Sequence, residues 1–177
     1  MAKKYKIPDE IPQHILKEPV ATYVTLAQPN PFANLVQSVL QILGMGGNAA
    51  HPPIQNNADF IDIIREGVPR KSIDHLMENT GLTVSEISTI IRTSDRTLRR
   101  YTARHKLNPE QSERLIELAK LYSRGKEVFG NMESFKHWIG SKVMALGNKK
   151  PIEFLDTSLG ITLLMNELGR IEHGIFA

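Results

Sequence analysis

Arg92, Arg96, Arg99, Arg100, Arg104 and Lys106 crowd a fifteen-residue window in which Asp95 is the only acid, a local balance of +5. Residues 1–91 hold seven basic and nine acidic side chains and residues 107–177 hold nine of each, so the window carries the whole positive excess of the chain. A guanidinium pairs bidentately with phosphate oxygens or with the O6 and N7 edge of guanine, and a cluster of this kind suits nucleic acid. On a helix capped by Ser94, Arg96, Arg100 and Arg104 are spaced by four and share a face opposite Leu98, flanked by Thr97 and Arg99. The bland alternative is a solvated charged face. Such faces usually mix both signs, and this one does not.

Other chemistry finds little support. Glu172 and His173 beside Asp156 suggest an acid and base pair, but no hydroxyl or thiol nucleophile, glycine cradle or ligand set accompanies them. The six histidines form no HxxxH or similar pair and there is no cysteine, so neither a metal site nor a disulfide framework is expected. Gly44, Gly46 and Gly47 precede no Gly-Lys-Ser/Thr and follow no strong strand, which excludes a phosphate loop. The reading is a protein without catalytic residues or cofactor.

The elements that must position the arginines are helical. Ala58 to Glu66 and Arg70 to about Asn79 predict two short helices, stopped by Gly67 with Pro69 and by Gly81. Thr83-Val84-Ser85-Glu86 is a capping box opening a helix with Ile87, Ile90 and Ile91 inward. Arg92-Thr93 is the turn, and the basic helix is expected to run from Asp95 to about His105. Two short helices about a tight turn, the second basic, are what a helix-turn-helix requires.

Asn108-Pro109 starts a longer helix reaching Val128 or Phe129, and Asn131 starts another with Met132, Phe135, Trp138 and Ile139 on one face. Trp138 reads as core rather than as a ligand platform. Val143 to Lys150 reads as a loop and Pro151 as the first turn of a short helix. A helix capped by Thr157 or Ser158 follows, with Ile161, Leu164, Leu168, Ile171 and Ile175 on one stripe. Leu159, Leu163 and Met165 lie off that stripe, as for a helix with neighbours on two sides. Gly174 reads as the C′ glycine, leaving Ile175, Phe176 and Ala177 as an apolar tail.

Prolines 8, 12, 19, 29 and 31 break any long helix in residues 1–31, where Val20 to Leu26 is β-prone. A helix over residues 32–43, with Phe32, Leu35, Val36, Val39, Leu40 and Leu43 on one face, precedes a linker ending at Pro53. That face must be buried on the main domain or on a second copy, and a homodimer is the expectation. No apolar run approaches ~20 residues and no signal-peptide core follows the first residues, so a cytoplasmic protein without membrane contact is expected. A chain of 177 residues holds one ordinary domain or a small one with appended segments.

Ser94-Asp-Arg-Thr-Leu-Arg-Arg-Tyr101, Glu110-Gln-Ser-Glu-Arg-Leu115, Phe129-Gly130 and Trp138 resemble the Xre/MbcA/ParS-type antitoxins that partner RES-domain toxins. More specific are Pro151-Ile-Glu-Phe-Leu-Asp-Thr-Ser-Leu-Gly160 and Leu168-Gly-Arg-Ile-Glu-His-Gly-Ile-Phe-Ala177, in this order. The resemblance covers roughly Ala58 to Ala177. It implies an all-α protein: an Xre-like helix-turn-helix over residues 58–107, a helical toxin-binding domain over residues 108–177, and an irregular extension over residues 1–57 outside the family pattern. It implies an antitoxin that covers the active site of an NAD-using toxin and whose complex represses its own operon by binding operator DNA; a homodimer and a higher-order complex with toxin are the assemblies expected. Carried over by position, Arg96, Thr97, Arg99 and Arg100 lie at DNA, and the charge and spacing of the basic stretch place Arg92, Ser94 and Arg104 there with them. Arg170, His173, Gly174, Ile175, Phe176 and Ala177 lie at the toxin. The alternative is a helix-turn-helix regulator without a toxin.

Overall fold

The computed structural model describes residues 31–46 and 57–174, and every regular element among them is helical. In chain order these are α1 (Pro31–Ile42), α2 (Asn57–Glu66), α3 (Lys71–Thr80), α4 (Val84–Ile90), α5 (Asp95–Arg100), α6 (Pro109–Val128), α7 (Met132–Gly140) and α8 (Ser158–Glu172). Two one-turn 3-10 helices, Met144–Leu146 and Pro151–Phe154, join α7 to α8. The all-α class, a helix-turn-helix followed by further helices, is as expected.

Helix α6 is the axis of the fold. Asn108 Oδ1 accepts the Gln111 N–H at 2.8 Å and the Gln111 side chain accepts the Asn108 N–H at 3.3 Å, so two of the donors orphaned at the helix start are satisfied reciprocally. Helices α1, α2, α3, α7 and α8 all pack on it, which is why Leu115, Leu118, Ala119, Leu121 and Tyr122 are buried. Against its far end the Phe135 ring of α7 lies on the Gly125 backbone and meets Tyr122 edge-on at 5.1 Å.

Helix α1 buries Val36, Val39, Ile42 and Leu43 against α6 and α3. Its end is fastened to α3 by Asn79 Nδ2, which donates to the Ile42 carbonyl at 3.3 Å. The face read as a dimerisation surface is therefore occupied within its own chain, because a packed core offers those side chains a nearer partner than a second copy. Val20 to Leu26, the side chain of Phe32 and the linker beyond Gly46 lie outside the described residues.

The chain from Ser141 to Thr157 positions α8. Val143 N–H donates to the Lys149 carbonyl at 3.1 Å, and Leu146 is buried, so the expected loop is a pinned turn. Thr157 caps α8 by accepting the Gly160 N–H at 3.0 Å, and the Phe154 carbonyl lies where a Gly160 side chain would begin. Ile161, Leu164 and Leu168 are buried toward α6. Arg114 Nη1 donates to the Asp156 carbonyl at 3.3 Å near the start of α8, and Arg124 holds both Glu127 and Glu172 at its end.

Candidate functional site

Two surfaces carry the residues singled out by their chemistry. At the first, Thr83 and Glu86 form the capping box that opens α4, with Thr83 N–H donating to Glu86 at 2.7 Å. Ser94 Oγ accepts the Thr97 N–H at 3.0 Å and opens α5, and Leu98 seals that helix into the core. Ser94 and Thr97 thus spend their hydroxyls on each other, 2.8 Å apart. Arg92 occupies the turn with a left-handed φ of 54°, and its guanidinium reaches Glu110 at 3.2 Å.

The basic helix ends five residues earlier than expected, at Arg100. Tyr101 turns extended at φ −67° and ψ 131° and its ring stacks on His105 with centroids 3.7 Å apart. The cause lies in α3. Its N-cap is Arg70, which supplies no capping side chain, so the N–H groups of Arg70 and Lys71 take the His105 and Ala103 carbonyls at 2.8 and 3.1 Å. Leu107 N–H adds a bond to the Val68 carbonyl at 2.9 Å, and residues 101–107 are drawn off the helix. Arg104 therefore does not share a helical face with Arg96 and Arg100 and stands instead on the adjoining turn. Lys106 is paired with Glu66 at 2.5 Å, whereas Arg96, Arg99, Arg100 and Arg104 are exposed and make no ion pair among the described residues. Four free guanidinium groups on one helix and its following turn remain.

The second surface is α8. Flanking its buried stripe, Leu159 and Leu163 are 81% and 37% exposed, so the second neighbour that its sequence calls for is absent from the described residues. Arg170 lies on the same outer side, tied to the buried Glu167. His173 is exposed beside Glu172, and Gly174 adopts φ +66°, the left-handed conformation of a C′ glycine. Ile175, Phe176 and Ala177 lie outside the described residues. Burial works against the charge of Arg124, yet its hydrogen bonds to Glu127 and Glu172 raise its pKa, which keeps the clamp on the end of α8 charged.

Beside α8 is a pocket that the sequence did not reveal. Trp138 is only half-buried. With Phe129, Val143, Met144, Ala145, Glu167 and Ile171 it lines a cavity of about 280 Å³. Helical spacing puts Trp138 on an apolar face, and nothing local says that Met144, from the next turn, stands outward at the cavity's rim. Among the described residues no group of three or more His, Cys, Asp and Glu side chains could hold a metal, and no helix is long and apolar enough to cross a membrane.

Comparison with known proteins assigns the two surfaces to two domain types. Residues 59–120 match the model of the antitoxin Xre-like helix-turn-helix domain, and residues 124–174 match that of the antitoxin Xre/MbcA/ParS C-terminal toxin-binding domain. Antitoxin Xre of Yersinia enterocolitica is 26% identical over 127 residues, 71% of this chain and 86% of the relative. Antitoxin Xre of Photorhabdus laumondii is 28% identical over 115 residues, 64% of this chain and 78% of the relative. A protein of Sphingobium named Prs ADP-ribosylating antitoxin is 26% identical over 129 residues, 67% and 81% of the two chains.

Proposed function

We propose, since the chain belongs to the Xre/MbcA/ParS-type antitoxins, that it neutralises an NAD-using RES-domain toxin in the cytoplasm by covering the toxin's active site with α8 and the tail from Arg170 to Ala177. The observation that carries this reading is the outer face of α8, where Leu159 and Leu163 are exposed within the residues matched by the toxin-binding model. A helix whose apolar surface extends beyond its buried stripe is complete only when a second body covers the rest. The relative named for Prs ADP-ribosylation supports the NAD-using chemistry, since ADP-ribosyl groups are drawn from NAD. An NAD site offers basic groups beside apolar walls, and Ile175 and Phe176 suit the apolar part.

The second half of the proposal is operator binding. The free guanidinium groups of Arg96, Arg99, Arg100 and Arg104 meet phosphates and base edges, and autoregulation follows. Helix-turn-helix proteins reach two half-sites as dimers, and a homodimer of this chain pairs through a face other than that of α1. These matched domains are a DNA-binding and a protein-binding type rather than enzymatic ones.

The test is purification together with a RES-domain toxin and measurement of NAD consumption. Full-length protein abolishes it, and deletion of Gly174 to Ala177 restores it while sparing DNA binding. Full neutralisation by the truncated protein refutes the role of the tail. Arg96→Glu with Arg100→Glu weakens operator binding and flattens its salt dependence by roughly 0.9 in log K per log salt for each phosphate left without its arginine. Unchanged affinity and slope refute the DNA reading.

A further inference from the structure

We propose that the toxin is gripped at a second point, apart from the tail: the pocket between α7 and the end of α8 receives one large apolar side chain of the toxin. This rests on the antitoxin reading and deepens it.

The pocket is built rather than incidental. Its back wall is a pair of rings, Phe129 and Trp138, with centroids 5.5 Å apart, and Phe135 lies behind both at 6.0 and 5.7 Å. Its rim is the 3-10 turn Met144–Leu146, whose Leu146 is buried as an anchor while Met144 is 80% exposed. Burial of a nearby leucine with such exposure of the methionine means that the turn is fixed and Met144 is held outward. The one acid at the pocket, Glu167, carries Arg170 as its counter-ion, so no uncompensated carboxylate opposes entry of an apolar group.

The size, chemistry and place of the pocket identify the occupant. A cavity of about 280 Å³ has room for one large side chain. Aromatic walls and a methionine rim are the surfaces on which protein partners anchor, the rings for contact area and the thioether for adaptability. Every lining residue falls within the toxin-binding match at 124–174. The pocket also continues the outer face of α8, because Leu163 lies one turn before Glu167 on the same side of the helix. Of the large hydrophobic side chains exposed among the described residues, Met144, Leu159 and Leu163 all lie within the toxin-binding match, and only Ile61 lies elsewhere.

Trp138 is the only tryptophan in the chain, so protein grown on 5-fluorotryptophan gives one fluorine resonance that reports on the pocket wall. Saturation with the RES-domain toxin is expected to shift that resonance, and deletion of Gly174 to Ala177 from the free antitoxin to leave it in place. Met144→Asp, at an exposed position, is expected to weaken toxin binding at least tenfold with thermal stability and operator binding unchanged. A resonance unmoved by toxin together with wild-type affinity of Met144→Asp overturns the pocket, and loss of neutralisation on tail deletion then leaves the antitoxin reading intact. A resonance that moves on tail deletion alone assigns the pocket to the chain's own tail and equally overturns the proposal. If the unaltered protein binds no RES-domain toxin, the antitoxin reading falls and this proposal with it.

Discussion

A Cβ added at Gly160 would stand 2.0 Å from the Phe154 carbonyl oxygen, 2.9 Å from its carbon and 2.9 Å from Thr157 Oγ1. The first two are backbone atoms of a turn held by buried Pro151 and Leu155, and the third is the cap of α8. None is the free end of a flexible side chain, so the backbone has to move. Alanine in a helix is worth about 0.5–1 kcal/mol over glycine. Overpacking of this kind costs about 1–3 kcal/mol, and a disturbed cap about 1 kcal/mol more. The expected net effect of Gly160→Ala is a loss of about 1–3 kcal/mol, a fall of several degrees in Tm. Gly169 of the same helix has nothing within 4 Å of such a Cβ. Gly169→Ala therefore keeps the whole helical gain of about 0.5–1 kcal/mol and raises Tm by about 1–4 °C. Thermal and urea unfolding of the two variants beside the parent measure both signs. A Gly160→Ala protein as stable as the parent refutes the reasoning, since the turn before α8 would then yield freely and would not fix where that helix lies.

Gly125→Ala is expected to lose about 1–3 kcal/mol by the same measurement, because its Cβ would meet the fully buried Phe135 ring at 2.3 Å and the ring has no room to swing. Arg92→Gly relieves a left-handed residue by about 0.5–1 kcal/mol and gives up an exposed ion pair worth little, so urea unfolding should show equal or slightly higher stability. Weaker operator binding by that variant then reports on contact, not folding. Burial, with a smaller contribution from Glu86, pushes the Tyr122 phenol well above its ordinary value. The unfolded phenol ionises near ~10 while the folded one stays protonated, so the tyrosine contributes fully below that pH and loses about 1.4 kcal/mol per unit above it. Urea midpoints of Tyr122→Phe from pH 8 to 11 should fall less steeply than the parent's, and parallel curves would refute the assignment.

What could be read from the sequence is what neighbours in sequence decide. Thr83 with Glu86, Ser94, Asn108 with Gln111, Asn131 and Thr157 each bond to an N–H three residues on, and the helix starts follow from those residues alone. The end of the basic helix is of the other kind. Nothing between Asp95 and His105 stops a helix; what stops it is a shortage of acceptors at the start of α3, more than thirty residues earlier, which draws the Ala103 and His105 carbonyls away. Arg104 stands off the helical face for that reason. The partner of α1 was equally hidden, since periodicity marks the face to be buried and not the surface that buries it. On α8 the pattern was right that two sides are apolar, but only packing distinguishes Leu164, which is covered, from Leu159, which is not.

The two functional surfaces are joined without a hinge among the described residues. Helix α6 runs unbroken from Pro109 to Val128, its first half inside the helix-turn-helix match and its second half carrying Arg124, the clamp on Glu172 of α8. Twenty helical residues span about 30 Å. Helix α1 reinforces the join by packing on both α6 and α3. A toxin held on α8 would therefore stand at a fixed distance and orientation from the free arginines of α5. If the chain neutralises a toxin and binds an operator as proposed, the two would be coupled by geometry, because placing one antitoxin on its half-site would also place the toxin that it carries.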